Sequence, residues 1–149
     1  KLIIADYGGG YSENLRLKKH FGARFFMAHY VGQQKLDITF HKEQFEYRLF
    51  RSNVMTEYIH YINQMNLIFP SSDFEDWEYF IKNFTGIYAE YRESRNGSSE
   101  RLFYGHPVSQ PDDCFHASLY AWLGKKVLER GSRKAVTKKG SGFIGTYGR

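Results

Sequence analysis

The stretch from Asp112 to Glu129 constrains the fold most. Phe115, Leu119, Trp122, Leu123 and Val127 recur at helical spacing and put one apolar stripe on a long helix. Such a stripe has to lie on an apolar surface built elsewhere in the chain. The upstream sequence offers one, because strand-like and helix-like segments alternate. Leu2 to Asp6 reads as a short buried strand, closed by the permissive turn Tyr7-Gly8-Gly9-Gly10. Ser12 to Phe21 reads as a helix, with Ser12 as N-cap and Gly22 as stop. Arg24 to Val31 is strand-like. Lys35 to Phe50 alternates around the polar turn His41 to Gln44, as a hairpin does. Ser52 to Asn66 has helical spacing, and Leu67 to Phe69 reads as a short strand closed by Pro70. A further helix capped by Ser72 or Asp73 is expected to reach Phe84. Strands at 87–92 and 101–104 follow, flanking a 94–99 loop. This alternation predicts an α/β domain.

The head of the last helix, Pro111-Asp112-Asp113-Cys114-Phe115-His116-Ala117, concentrates chemistry. Acids and a histidine three or four residues apart project from one face of a first turn and suit a divalent ion. Asp112 and Asp113 equally suit a helix cap that complements the dipole. Asp6 ends a strand where a glycine turn begins. Carboxylates at the carboxyl edge of an α/β sheet converge on ligands, whereas an aspartate before a turn also binds its own backbone. Oxygen-rich donor sets with few imidazoles favour Mg²⁺ or Mn²⁺, the ions of in-line phosphodiester cleavage. His20, His29, His41, His60 and His106 are scattered and receive no role. The G-x-G-x-x-G match at Gly140, Gly142 and Gly145 lacks its strand and helix, and no Walker-type loop occurs.

Charge is uneven. From Gly124 onward there are eight basic residues and one acid, a net +7, against 13 basic and 15 acidic residues before it, a net −2. Lys125, Lys126, Arg130, Arg133, Lys134, Lys138 and Lys139 are the candidate nucleic-acid contacts of this stretch, with 131–149 expected to be a flexible basic tail. A solvated terminus is the plainer alternative. Aromatic content of 18% supplies a core, which argues against global disorder. No apolar run approaches the roughly 20 residues of a membrane span, so no membrane role is expected. One cysteine excludes an internal disulfide framework.

Four stretches in order resemble the nuclease domain of the large terminase subunit of tailed bacteriophages. LIIADYGGG (2–10) resembles that family's second acidic motif, and HYVGQQKLD (29–37) the strand after it. YRLFRSNVMTEYIHYINQMNLIFP (47–70) resembles its middle region, and YGHPVSQPDDCFHASLYAWL (104–123) its last acidic motif and helix. The resemblance implies a ribonuclease H-like mixed sheet with flanking helices and a β-hairpin insertion over residues 1–130. It implies Mg²⁺- or Mn²⁺-dependent cleavage of concatemeric double-stranded viral DNA during packaging, in the host cytoplasm during virion assembly. Its partners would be an ATPase domain in the same polypeptide and a portal or small terminase subunit. Carried over by position, Asp6, Asp113 and His116 are the catalytic residues, with Asp112 the neighbouring metal ligand. The strand that carries the family's first acid has no counterpart before Leu2, and Lys1 is not an initiator Met. The chain is therefore expected to be the C-terminal part of such a domain, and the alternative is a non-catalytic binding module.

Overall fold

The computed structural model describes residues 1–32, 34–73, 75–93 and 100–139, with side chains through Glu129. The chain is a mixed α/β fold. Its main sheet has four strands: β1 (Ile3–Asp6), β2 (Phe25–Val31), β3 (Ile38–His41) and β4 (Glu46–Phe50), in the order β1-β2-β4-β3. β1, β2 and β4 run parallel, and β3 is antiparallel to β4. Parallel strands need a crossover, and the helix α1 (Tyr11–Phe21) provides it between β1 and β2. The 35–50 alternation is the β3–β4 hairpin, as its period of two requires. The helices α2 (Arg51–Asn63) and α3 (Trp77–Thr85) follow. A second, two-stranded antiparallel sheet comprises β5 (Tyr88–Glu93) and β6 (Glu100–Gly105). The 94–99 loop lies outside the described residues.

The last helix, α4 (Asp113–Lys139), sets the core. Its stripe carries Phe115, Leu119, Trp122 and Leu123, all buried, and packs with Val54, Met55 and Tyr58 of α2 and with Ala28, Tyr47 and Leu49 of the sheet. Phe25 and Met27, at alternate positions of β2, are buried outside that cluster, on the face where α1 meets β2. The sheet is thus covered on both faces, which a parallel sheet requires.

Several boundaries differ from those read in the sequence. Ser12 is not the cap of α1. The helix starts one residue earlier behind Gly10, whose φ of 113° is a left-handed conformation open to glycine. Gly22 does end the helix, at φ 58°. Leu67–Phe69 is not a strand: Phe69 turns its ring against Phe80 and Phe84, and Ile68 is 94% exposed. α3 begins at Trp77 rather than near Ser72. The backbone of α4 continues helically to Lys139, ten residues past Glu129. Lysine, arginine and alanine there are good helix formers, and no proline interrupts them. The rest of the tail, 140–149, lies outside the described residues.

Candidate active-site cleft

Asp6 and the head of α4 meet. Together with Arg51 and two tyrosines, they line an open cleft of about 560 Å³ that contains Asp6, Asp112, Asp113, His106 and His116. The topology explains the meeting. β1 delivers Asp6 at its carboxyl end. α4 packs along β1 and presents its first two turns to that end. The Tyr120 hydroxyl, from the second turn, donates to Asp6 Oδ1 at 2.8 Å across 114 residues of chain.

The Asp6 carboxylate is also tied to its own turn. Oδ2 accepts the backbone N–H groups of Gly8 and Gly9 at 2.8 and 2.9 Å. Asn14, buried in α1, donates from Nδ2 to the Asp6 carbonyl at 2.6 Å. The turn-capping and cleft-facing readings of Asp6 are therefore both realised in one geometry. A carboxylate accepts about four hydrogen bonds, and Asp6 uses three.

The head of α4 is organised by Asp112. Its backbone carbonyl accepts the first intrahelical bond, from His116 N, at 3.0 Å. Its side chain does not cap the helix. Asp112 Oδ2 instead sits 3.0 Å from His116 Nε2 and 3.3 Å from His106 Nε2. The cap comes from another helix: buried Asn83 of α3 accepts the Cys114 N–H at 3.0 Å. Asp113, one residue on, is exposed at the cleft.

His116, expected as a metal ligand, lies in the cleft and makes two side-chain hydrogen bonds. Its Nδ1 is 2.9 Å from the Tyr30 hydroxyl, while Nε2 faces Asp112. A carboxylate only accepts, so Nε2 carries the proton in the neutral ring and Nδ1 accepts from Tyr30. Both nitrogens are engaged in hydrogen bonds in this geometry. Burial pushes the His116 pKa below its ordinary value, against the pull of Asp112. Burial also raises the Tyr30 and Tyr120 hydroxyls well above the usual tyrosine range, so both remain protonated donors.

A histidine kept neutral by folding binds fewer protons than its unfolded counterpart below the ordinary histidine pKa. Stability is then intact above about pH 6.5 and declines as pH falls from there toward the folded pKa. We expect the melting temperature of the wild type to fall more between pH 7.5 and 5 than that of His116→Gln. Parallel curves for the two proteins would show that His116 is not held neutral.

The donor chemistry of the cleft is oxygen-rich, as Mg²⁺ and Mn²⁺ prefer. The spatial fit is incomplete: among the described residues no three His, Cys, Asp or Glu side chains gather closely enough to hold a metal ion. The cleft thus has acids with spare lone pairs but does not form a closed cage.

The basic candidates divide. Lys125 donates to the Tyr61 hydroxyl at 3.0 Å and lies over its ring. Lys126 pairs with Glu57 and sits 4.5 Å over the Trp122 ring. Both are held by α2 and by α4 itself, in a separate small cleft. The side chains of Arg130, Arg133, Lys134, Lys138 and Lys139 lie outside the described residues.

Tyr30, Tyr120, His106 and Arg51 were not singled out from sequence. The tyrosines read as core, and the hydroxyl ends that face the cleft leave no trace in periodicity. No protein-family model, no curated protein and no solved structure matches this chain.

Proposed function

We propose that this chain is the C-terminal part of a ribonuclease H-like nuclease of the phage terminase class, acting on double-stranded DNA. The observation that carries the proposal is the shared cleft of Asp6 and the α4 head, joined by the Tyr120–Asp6 hydrogen bond. Residues more than a hundred positions apart place carboxylates at the carboxyl edge of a parallel sheet, where α/β folds bind ligands. The order of the four resembling stretches supports the same reading. In it the chain works in the host cytoplasm during virion assembly, with the ATPase domain of its polypeptide and a portal or small terminase subunit as partners. The basic residues from Arg130 onward extend the DNA contact through phosphate charge, independent of sequence.

Asp6 and Asp113, with Asp112 beside them, would hold Mg²⁺ or Mn²⁺ together with an acid that the described residues do not bring to the cleft. Bound there, the ion would activate water and stabilise the leaving oxygen. His116 orients Asp112, and His106 Nε2 lies 3.3 Å from the same carboxylate oxygen. Tyr120 and the Gly8 and Gly9 amides orient Asp6. These contacts fix carboxylate directions before any cation arrives, which is the role of groups behind metal ligands.

One observation favours the binding-module alternative: Asp6 is already capped by three donors. Manganese binding separates the two. Electron paramagnetic resonance should show Mn²⁺ bound by the wild type and about tenfold weaker in Asp6→Ala/Asp113→Ala, consistent with the loss of metal ligands. In the full-length protein, plasmid nicking in Mn²⁺ should be lost in the same variant. Equal Mn²⁺ affinity and equal nicking in the two proteins would leave the acids as structural caps and end the nuclease reading.

A further inference from the structure

Arg51 opens α2 and lines the acidic cleft. A cation at the first position of a helix works against the macrodipole. Residues that break a local rule without local compensation tend to mark function. Among the described residues Arg51 has no acidic partner to compensate it. Elsewhere Arg16, Arg48 and Arg92 each close on a glutamate. Arg51 forms no ion pair among the described residues, although three aspartates share its cleft, and its Nε is buried without a hydrogen-bond partner.

Its position is nonetheless fixed. The guanidinium lies 5.4 Å from the Tyr30 ring centroid and 5.7 Å from that of Phe103, held by cation–π contacts from β2 and β6. A planar, permanently charged donor fork held against two rings is suited to an oxyanion, and to phosphate in particular. Its charge reaches the rest of the cleft, contributing to the lowered His116 pKa and acting on the Tyr30 hydroxyl.

We infer that Arg51 is the phosphate-holding residue of this cleft, gripping a phosphodiester of the DNA backbone beside Asp6 and Asp113. The inference rests on the nuclease reading for its substrate class, and it adds a group that reading does not contain. Counting its carboxylates and guanidinium alone, the cleft carries a formal charge of −2. Without a cation the aspartates repel a phosphate. Among the described residues Arg51 is the one cationic side chain lining this cleft, and its fork orients the phosphate on the acids.

The test is binding of a labelled 20-base-pair duplex by the full chain, read by anisotropy across a NaCl series, in Ca²⁺ and again in EDTA. In Ca²⁺, Arg51→Met should bind about tenfold more weakly, as expected for one charged hydrogen-bonding group. Its slope of log affinity against log salt should be shallower by about 0.9, the loss of one phosphate contact. Arg51→Lys keeps the charge, so it should keep the wild-type slope with reduced affinity. It also serves as the readout if Arg51→Met fails to melt cooperatively.

An unchanged affinity and slope in Arg51→Met would overturn the proposal, as would an Arg51→Lys slope shallower than wild type. A wild type that binds no duplex in either buffer would overturn it as well. Manganese binding by the wild type and Arg51→Met is measured alongside. Retained Mn²⁺ binding with unchanged DNA binding removes Arg51 but spares the nuclease reading. Absent Mn²⁺ binding with a lost phosphate contact, seen also in EDTA, does the reverse.

Discussion

Phe115→Ala is expected to lower stability by about 3–5 kcal/mol, the cost of emptying a fully packed aromatic site. Phe115 is 2% exposed. Its ring meets Tyr58 of α2 edge-on at 5.4 Å and Phe84 of α3 at 5.7 Å. Phe84 in turn contacts Phe69 and Phe80, and Tyr58 contacts Trp122. One ring therefore links three helices, and the neighbours Tyr58 and Phe84 are each packed against further rings. Domains of this size have only about 5–15 kcal/mol in total, so the loss takes a large share. The site should suffer with the fold, because Asn83 of α3 holds the first turn of α4 through the Cys114 N–H. Loosening α3 from α4 frees the turn that carries Asp112, Asp113 and His116. Urea denaturation measures the first effect, and Mn²⁺ affinity the second. A stability loss under about 1 kcal/mol would mean that the aromatic cluster is not what fastens α4. Phe115→Leu, which keeps most of the volume, should cost much less.

Period and punctuation carried most of the fold. The stripe Phe115, Leu119, Trp122, Leu123 lies buried where its spacing puts it, and the alternation of 35–50 pairs Ile38 with Leu49 and Phe40 with Tyr47. Leu67–Phe69 failed because a three-residue apolar run is also what an aromatic cluster needs from a loop, and length alone does not separate the two. The cleft was legible as far as its carboxylates. Asp6 stood at the end of a strand and Asp112 at the start of a helix, positions that converge in an α/β fold. What those acids bind was not legible. The partners of Asp112 are a histidine one turn on and a second histidine six residues back, placed by a loop whose path no periodicity encodes. Arg51 did leave a signal, a cation at a helix start with no acid in the first turn. Its aromatic contacts reach β2 and β6, some seventy residues apart, and become visible only in three dimensions.

On the far face of the sheet, the ion pair of Glu46 and Arg48 carries the second large effect. Glu46 is 2% exposed, and its Oε1 accepts from Arg48 Nε at 2.6 Å. The two are i, i+2 on β4, so their side chains share a face. His29, opposite Arg48 on β2, brings Nδ1 to 3.9 Å from the same carboxylate oxygen without making a hydrogen bond. The buried carboxylate thus depends on Arg48. Removing one partner of a fully buried pair costs about 3–5 kcal/mol, because the other charge is left in a poor solvent. The Arg48 side chain is 36% exposed, and water reaching that edge lowers the expectation for Arg48→Ala to about 2 kcal/mol. Glu46→Gln keeps the shape and removes the charge, so it should cost less. The decisive comparison is the double variant Glu46→Gln/Arg48→Ala. If the penalty of Arg48→Ala is an unpaired buried charge, the double variant is more stable than Arg48→Ala alone, and the two changes are strongly non-additive in urea denaturation. Additive losses would mean that Arg48 stabilises β4 by packing its stem over the sheet, with the carboxylate satisfied by other means.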